Sequence, residues 1–202
     1  MGISTKAFEE LSKRLATQGG EKDQSAQPRN ENRQDQLVRV LGIDPSLRGT
    51  GFGLIDAIGQ NMTYVDSGTI KCPPKWRHSA CLLKISEILS DAIRTHSPEV
   101  CVVEGLFFAN NSKTALIMGQ ARGACIVSAS AAGLPIYEIA ARKVKQAIVG
   151  FGGAQKIAVA KMVERMLGLK ETPSPDAGDA LALAMTFTLE SRSPIAKPIN
   201  RI

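Results

Sequence analysis

Two short apolar runs that each end in a carboxylate constrain the fold of this chain more than any other feature. Residues 41–44 read Leu-Gly-Ile-Asp, and residues 100–104 read Val-Cys-Val-Val-Glu. Runs of this length and composition are typical of strands that are buried on both faces. A carboxylate at the end of such a strand is costly unless it has a partner. Asp44 and Glu104 are therefore candidate site residues on a buried sheet.

A second pair of acids opens a predicted helix. Asp176 and Asp179 stand three residues apart in a run rich in alanine and leucine, so both side chains share one helix face. Four converging carboxylates would repel one another unless cations lay among them, and such oxygen ligands favour Mg²⁺ or Mn²⁺. The pattern predicts a two-metal site for phosphodiester hydrolysis. Taken singly, each acid has an alternative role as a turn residue or a helix cap.

The order of the predicted elements indicates an α/β fold. Helical periodicity and turn residues place helices at residues 76–95, 112–132, 141–149, 154–167 and 176–192. Strands are expected at residues 37–44, 51–57, 63–71, 100–104 and 135–139. Three strands in a meander followed by β-α-β units favour a mixed five-stranded sheet with helices on both faces.

Composition divides the chain near residue 36. Residues 1–36 hold six basic and six acidic side chains and little that could fill a core, so they are expected to be a disordered N-terminal extension. A short helix at residues 4–16 that docks on a partner is the alternative. One domain is predicted at residues 37–192 and a flexible tail at 193–202. The whole net charge of +6 lies outside the extension, and a basic surface suits a phosphate backbone.

Cysteine and histidine usage narrows the class of protein further. The four cysteines show no Cys-x-x-Cys spacing, and the two histidines have no ligand-like spacing, so a zinc site is not expected. Neither a signal peptide nor an 18-residue apolar span is found. We therefore expect a cytoplasmic protein with reduced thiols and no membrane partner.

The sequence around the acids resembles the RuvC family of Holliday-junction resolvases. The similar blocks are residues 40–45 with 50–55, 103–111 with 115–116 and 119–123, 140–146 with 149–150, and 176–182. They occur in the order and spacing of the family and cover roughly residues 38–190. The resemblance implies a ribonuclease H-like fold.

Position by position, the resemblance assigns the metal-binding catalytic acids. They are Asp44, Glu104, Asp176 and Asp179, and the implied cofactor is Mg²⁺, two ions per active site, with Mn²⁺ as a substitute. One position departs from the family, which usually has glycine where this chain has Ser46. Because serine reaches positive φ less easily than glycine, the turn after Asp44 is expected to differ slightly.

The resemblance also implies residues that contact DNA. Phe107 falls where the family has an aromatic residue that stacks on bases at the open junction centre, which leaves Phe108 for packing. Lys145 and Lys156 fall where the family has lysines near the scissile phosphate. Two arginines in the matching blocks, Arg122 and Arg142, complete the predicted DNA-binding set.

The implied function is a structure-selective endonuclease for DNA recombination and repair. It would resolve four-way (Holliday) junctions by paired symmetric nicks and leave 5′-phosphate and 3′-hydroxyl ends. Two symmetric cuts need two active sites related by a dyad, so a homodimer is expected. The small residues of the helix at 112–132 would contribute to the dimer contact, or else they only pack on the sheet. The RuvA–RuvB branch-migration complex is the implied partner.

Two alternatives remain at the level of sequence. One is another ribonuclease H-like nuclease, acting on hybrids or flaps, because fold alone does not select the substrate. The other is a junction-binding protein that does not cleave, although a binder of polyanions gains nothing from four clustered acids.

Overall fold

The computed structural model describes residues 36–105, 112–191 and 199–202. Within these ranges one sheet holds six strands in the order β3-β2-β1-β4-β5-β6. They are β1 (Val38–Asp44), β2 (Gly49–Ile58), β3 (Asn61–Lys71), β4 (Val100–Glu104), β5 (Ile136–Ile139) and β6 (Asn200–Arg201). The β1–β4 and β4–β5 pairs are parallel and the other pairs are antiparallel, so the predicted mixed sheet is confirmed.

Helices cover both faces of the sheet, as predicted. Those described are α1 (His78–His96), α2 (Ser112–Ala131), α3 (Ala141–Val149), α4 (Lys156–Leu167) and α5 (Pro175–Ser191). Alternate residues of β4 enter opposite cores: Cys101 and Val103 pack with α1 and α2, whereas Val100 and Val102 pack with α3, α4 and α5. The continuous apolar run of β4 is thereby explained. No helix in the described ranges is long and apolar enough to cross a membrane.

The number of strands differs from the predicted five. The short strand β6 pairs with β5 in antiparallel register, Tyr137 opposite Arg201, and the amide of Ile202 donates to the carbonyl oxygen of Ile136 at 3.0 Å. Part of the tail predicted to be flexible is therefore bonded to the sheet edge. A strand of two residues is too short to show any hydrophobic periodicity, and for this reason the sequence did not reveal it.

Helix α5 lies directly on the backbone of β1 and β2. A Cβ added to Gly42 would lie 2.0 Å from the carbonyl oxygen of Ala180, and a Cβ added to Gly51 would lie 2.0 Å from that of Asp176. Glycine is required at both positions because any side chain would push the helix away. This close approach brings the first turns of α5 to the end of β1, where Asp44 lies.

An ion pair fastens the other end of the β1–β2 hairpin. Arg39 donates from Nε and Nη2 to the two carboxylate oxygens of Asp56 at 2.7 and 2.8 Å, and from Nη1 to the carbonyl oxygen of His96 at 2.7 Å. The hydrogen bonds and charge of Arg39 hold the pKa of Asp56 below its usual value. One guanidinium thus joins two strands to the end of α1.

Asp56→Asn is expected to lower the free energy of unfolding by about 1 kcal/mol at pH 7, since the pair is partly exposed. The folded pKa of Asp56 lies below the unfolded value of about 3.9. The stabilisation is therefore complete above that value and is lost as the pH falls through the folded pKa. Denaturant unfolding at pH 7 and pH 3 should show a gap between wild type and variant that closes in acid.

Asp91→Asn is the matched control, because Asp91 pairs with Arg94 while 68% of its side chain is exposed. Its unfolding curve should follow that of the wild type at both pH values. A gap for Asp56→Asn that is the same at pH 7 and pH 3 would contradict the assigned role of the pair.

Candidate active site

Asp44 and Glu104 end two neighbouring parallel strands and lie side by side. The preceding residues, Ile43 and Val103, are paired in the β1–β4 ladder. Burial, which is the largest cause, raises the pKa of Asp44 to about 8 together with a hydrogen bond to Glu104 and the charges of Glu104 and Asp179. Two carboxyl groups can share a hydrogen bond only when one holds a proton. The strand ends therefore carry more negative charge than their protein surroundings neutralise.

Lys156 supplies part of the missing positive charge. Its Nζ lies 2.7 Å from Oδ2 of Asp179, which stands one turn into α5. This hydrogen bond is the main cause that raises the pKa of Lys156, and Asp44 and Glu104 contribute through their charges. The Lys156 side chain is 73% exposed, against 25% for Asp179. The ammonium group thus stands at the outer rim of the acid cluster, where an incoming anion can reach it.

A small cleft unites these residues with the second predicted lysine. Its polar lining consists of Glu104, Asp179, Lys145 and Lys156. Its apolar lining comes from α3, α4 and α5, namely Ala141, Val144, Val159 and Leu183. Helices α3 and α4 each present one lysine to the acids that end β4 and open α5. Two cations and two carboxylates in one cleft suit the binding of a phosphate beside a cation site.

The described surroundings of the fourth predicted acid, Asp176, belong to β2. The Oδ2 of Asp176 lies against β2, 3.0 Å from the place that a Cβ on Gly49 would occupy. The carboxylates that act on Asp44 are Glu104 and Asp179. Across the described residues, no three histidine, cysteine or acidic side chains are close enough to form a ready metal site. The described interactions thus link Asp44, Glu104 and Asp179, and the predicted place of Asp176 among them stays a prediction.

The donor set still fits a divalent cation. Asp44, Glu104 and Asp179 offer oxygen atoms only, which Mg²⁺ and Mn²⁺ prefer. The raised pKa of Asp44 is caused by burial and by two neighbouring carboxyl groups, with Lys156 as the opposing charge. A cation among the strand ends would relieve that repulsion.

The predicted DNA-binding arginines have different surroundings. Arg142 is exposed on α3 and packs beside Gly152. Arg122 of α2 is only 16% exposed, and it forms an ion pair with Glu138 and a hydrogen bond to the carbonyl oxygen of Glu104. The guanidinium of Arg122 is thus bonded within the protein, and its predicted DNA contact stays a prediction. Phe107 lies at 106–111, outside the described residues.

The turn after Asp44 accommodates serine. The Thr50 hydroxyl donates to the carbonyl oxygen of Ser46 at 2.5 Å and accepts from its amide at 3.2 Å. Among the described non-glycine residues, only Ser97 has a positive φ. Ser46 therefore fits its turn without a positive φ, and the expectation that this turn differs slightly from that of the family stays a prediction.

Sequence reasoning missed the interactions that hold the site together. The Arg122–Glu138 pair joins residues 16 positions apart on different elements, and no local pattern reveals such a contact. One structural feature of the site did have a signal in the sequence. Gly51 and Gly53 are two residues apart and so lie on the same face of β2, a pattern that indicates close approach of another backbone.

Comparison with known proteins places this geometry in a family. The family model described as crossover junction endodeoxyribonuclease RuvC matches residues 40–187. The RuvC of Geobacter sulfurreducens is 47% identical over 164 residues, which cover 81% of this chain and 98% of the relative. The RuvC of Neisseria meningitidis is 42% identical over 160 residues, which cover 79% and 90%.

Comparison with solved structures indicates the same family. The Thermus thermophilus RuvC in complex with a Holliday junction substrate superposes with a TM-score of 0.74 at 32% identity, covering 82% of this chain and 99% of that one. A yeast mitochondrial Holliday junction resolvase gives 0.54 at 11% identity over 75% and 79%, a likeness of fold alone. The family match and the similarity along almost the whole of these relatives show that the chain belongs to the RuvC family of crossover junction endodeoxyribonucleases.

Proposed function

We propose that this protein is an endonuclease that resolves four-way DNA junctions in recombination and repair. The observation that carries the proposal is the cluster of Asp44, Glu104 and Asp179 with Lys156 in a chain of the RuvC family. Relatives named as crossover junction endodeoxyribonucleases match it along most of their length. A structure of one family member holds a Holliday junction substrate. The protein would act in the cytoplasm, in concert with the RuvA–RuvB complex.

The family consists of metal-dependent nucleases. Asp44, Glu104, Asp176 and Asp179 would hold Mg²⁺, two ions per site, for which Mn²⁺ substitutes. When bound, such ions supply an activated water and stabilise charge during phosphodiester hydrolysis, which here would give 5′-phosphate and 3′-hydroxyl ends. The repulsion around Asp44 supports this assignment.

The remaining groups of the cleft act on the DNA. Lys145 and Lys156 would contact the oxygens of the scissile phosphate and offset the charge that develops there. Lys156 is the better placed of the two, because its ammonium group is exposed while it bonds to a catalytic acid. Arg142 would contact the backbone from the exposed face of α3. Phe107 would stack on a base at the open junction centre, as the family resemblance implies.

A second copy of the chain would bind along α2. Leu116 and Val127 are 69% and 64% exposed, although both are large and apolar. Between them, a Cβ added to Gly119 or Gly123 would meet nothing within 4 Å. Spacings of three and four residues place this set on one face of the helix. A face with two apolar anchors around small residues suits close helix contact across a dyad and would give the two cuts their symmetry.

Val127→Glu is expected to convert the dimer into a monomer, because it places a charge at one of the two apolar anchors of that face. Light scattering after size-exclusion chromatography would show the change in molar mass. Ile58→Glu is the matched control, since Ile58 is 48% exposed at the end of β2 and lies on a different element. A wild-type monomer, or a Val127→Glu variant that stays dimeric, would rule out this interface.

The activity can be tested with a four-way junction that has a mobile core and one labelled strand at a time. Protein and Mg²⁺ are added, and products are separated on a denaturing gel beside an Asp179→Asn control. Paired nicks at symmetric positions that are lost in the control and absent on linear duplex would establish a resolvase. Cleavage of duplex or hybrid would indicate another nuclease of this fold. Binding without cleavage in Mg²⁺ and Mn²⁺ would leave a junction-binding protein.

A further inference from the structure

Arg122 bridges the strand that carries Glu104 and the next strand of the sheet. Its Nε donates to the backbone carbonyl oxygen of Glu104 at 3.3 Å, and its Nη2 pairs with the carboxylate of Glu138 on β5. Both side chains are largely enclosed, with 16% of Arg122 and 33% of Glu138 exposed. A guanidinium can make two such bonds at once because its donors form a rigid, planar fork.

The end of β4 is held from the side of β5 as well. Glu104 pairs with Ile139 in the parallel ladder, and the amide of Gly105 donates to the carbonyl oxygen of Ile139 at 2.9 Å. A Cβ on Gly105 would lie 3.2 Å from Cγ of Glu138. The Glu138 side chain therefore lies close beside the backbone that follows Glu104, and Arg122 closes the arrangement from α2.

We propose that Arg122 is a positioning residue for the cleavage reaction. Arg122 donates to the carbonyl oxygen of Glu104 and to the carboxylate of Glu138 at the same time. These two bonds fix the position and direction of the Glu104 carboxylate beside Asp44. The inference rests on the proposed function, because it concerns the acid that the cleavage reaction uses. It assigns Arg122 to orientation within the protein, in place of the DNA contact that the sequence suggested.

The chemistry of the pair favours this role over a role in stability alone. An ion pair needs only the Arg122–Glu138 contact, whereas orientation of Glu104 needs the additional bond from Nε to its carbonyl oxygen. A misplaced catalytic group slows a reaction even when the fold is intact. Variants that break one of these two bonds and keep the other therefore distinguish positioning from stabilisation.

Arg122→Gln should reduce the single-turnover rate of junction cleavage at saturating enzyme by about tenfold or more. The enzyme concentration that gives half of the maximal rate should stay unchanged, because the DNA does not contact this side chain. Glu138→Gln should cleave within about twofold of the wild type, since its amide oxygen still accepts from Nη2 and the bond to Glu104 survives. A rise in the half-saturating concentration with an unchanged maximal rate would overturn the proposal and restore the DNA contact.

A variant in which Arg122 and Glu138 exchange their charges distinguishes a positioning role of Arg122 from a stabilising role. Arg122→Glu combined with Glu138→Arg restores an ion pair, but a carboxylate at position 122 has no donor for the carbonyl oxygen of Glu104. The melting temperature should therefore recover relative to Arg122→Gln, while cleavage stays slow. Recovery of both would show that the pair has a stabilising role alone and would overturn the proposal. If the exchanged variant does not fold, Arg122→Gln and Glu138→Gln still give the contrast in rate.

A measurement without DNA provides an independent readout. Mn²⁺ alone should raise the melting temperature of the wild type and of Glu138→Gln, because a cation that binds only the folded state stabilises it. The midpoint of that rise should shift to about tenfold higher Mn²⁺ in Arg122→Gln, since one acid is misaligned. An identical midpoint in Arg122→Gln and the wild type would contradict the inference. A wild type that cuts no junction would instead refute the proposed function, and the two failures are therefore distinct.

Discussion

Asp44→Asn is expected to slow junction cleavage by about a thousandfold or more, which corresponds to at least about 4 kcal/mol of activation free energy. The charges of Glu104 and Asp179 both act on the carboxyl group of Asp44. An amide keeps the size and a hydrogen bond to Glu104 but removes the negative charge that a divalent cation needs. Single-turnover cleavage of a labelled junction measures the loss.

In Asp44→Asn, junction affinity and thermal stability should be unchanged or higher while the cleavage rate falls. Without the Asp44 charge, the site repels the phosphate backbone less, so the junction should bind as tightly as to the wild type or more tightly. In metal-free buffer the melting temperature should be equal or higher, because a buried and repelled carboxyl group has been removed. The pattern of lost cleavage with retained binding separates a catalytic role from a folding defect.

Two further variants complete this test. Glu104→Gln should show the same loss of cleavage, since Glu104 is the hydrogen-bonded neighbour of Asp44. Asp91→Asn, which changes an exposed acid on α1, should cleave like the wild type. Full activity of Asp44→Asn or Glu104→Gln would refute the assignment of the metal-binding acids.

Gly42→Ala is expected to destabilise the fold by about 3 kcal/mol or more, because the new methyl group overlaps a helix backbone. Its Cβ would lie 2.0 Å from the carbonyl oxygen of Ala180, 3.0 Å from the amide nitrogen of Ala184 and 3.1 Å from the carbonyl carbon of Ala180. None of these atoms belongs to a flexible side chain, so α5 must shift as a body. Because Asp179 precedes Ala180, the shift should also separate Asp179 from Asp44 and reduce cleavage.

Gly178→Ala is the matched control, since it adds the same methyl group within α5 itself. The nearest atom to that Cβ is Cγ of Pro173 at 3.5 Å, an ordinary contact. Alanine is the better helix former, so this variant should be more stable by up to about 1 kcal/mol. Thermal and denaturant unfolding of both variants measure the contrast. A Gly42→Ala protein as stable as the wild type would show that α5 does not lie against β1 as described.

The accuracy of the sequence predictions follows from how local each feature is. The strand at 100–104 was predicted with its observed ends, because a continuous apolar run that follows Pro98-Glu99 and ends in a carboxylate has few alternatives. The helix at 141–149 was also correct, and it ends at Gly150, whose φ of 82° stops a helix. Strand β6 was missed because two residues carry no pattern.

The site was predicted less completely than the fold. Motifs of the RuvC family located the acids and the two lysines along the chain, and the structure brings Asp44, Glu104, Asp179 and both lysines to one place. The sequence did not show that Asp176 lies against β2. Nor did it show that Lys156 bonds to Asp179, since 23 residues separate them. Such contacts depend on the angle and distance at which helices cross the sheet.

The sequence by itself determined the family, the order of strands and helices, and the acids that end two buried strands. These follow from apolar periodicity, turn residues and short motifs, which act over a few residues at a time. Only the tertiary structure decided which acids meet, that Ser46 fits its turn, and that Arg122 faces Glu104 and Glu138. The physical reason is that these contacts join distant segments, and their geometry is set by strand register and by the glycines that let α5 approach β1 and β2.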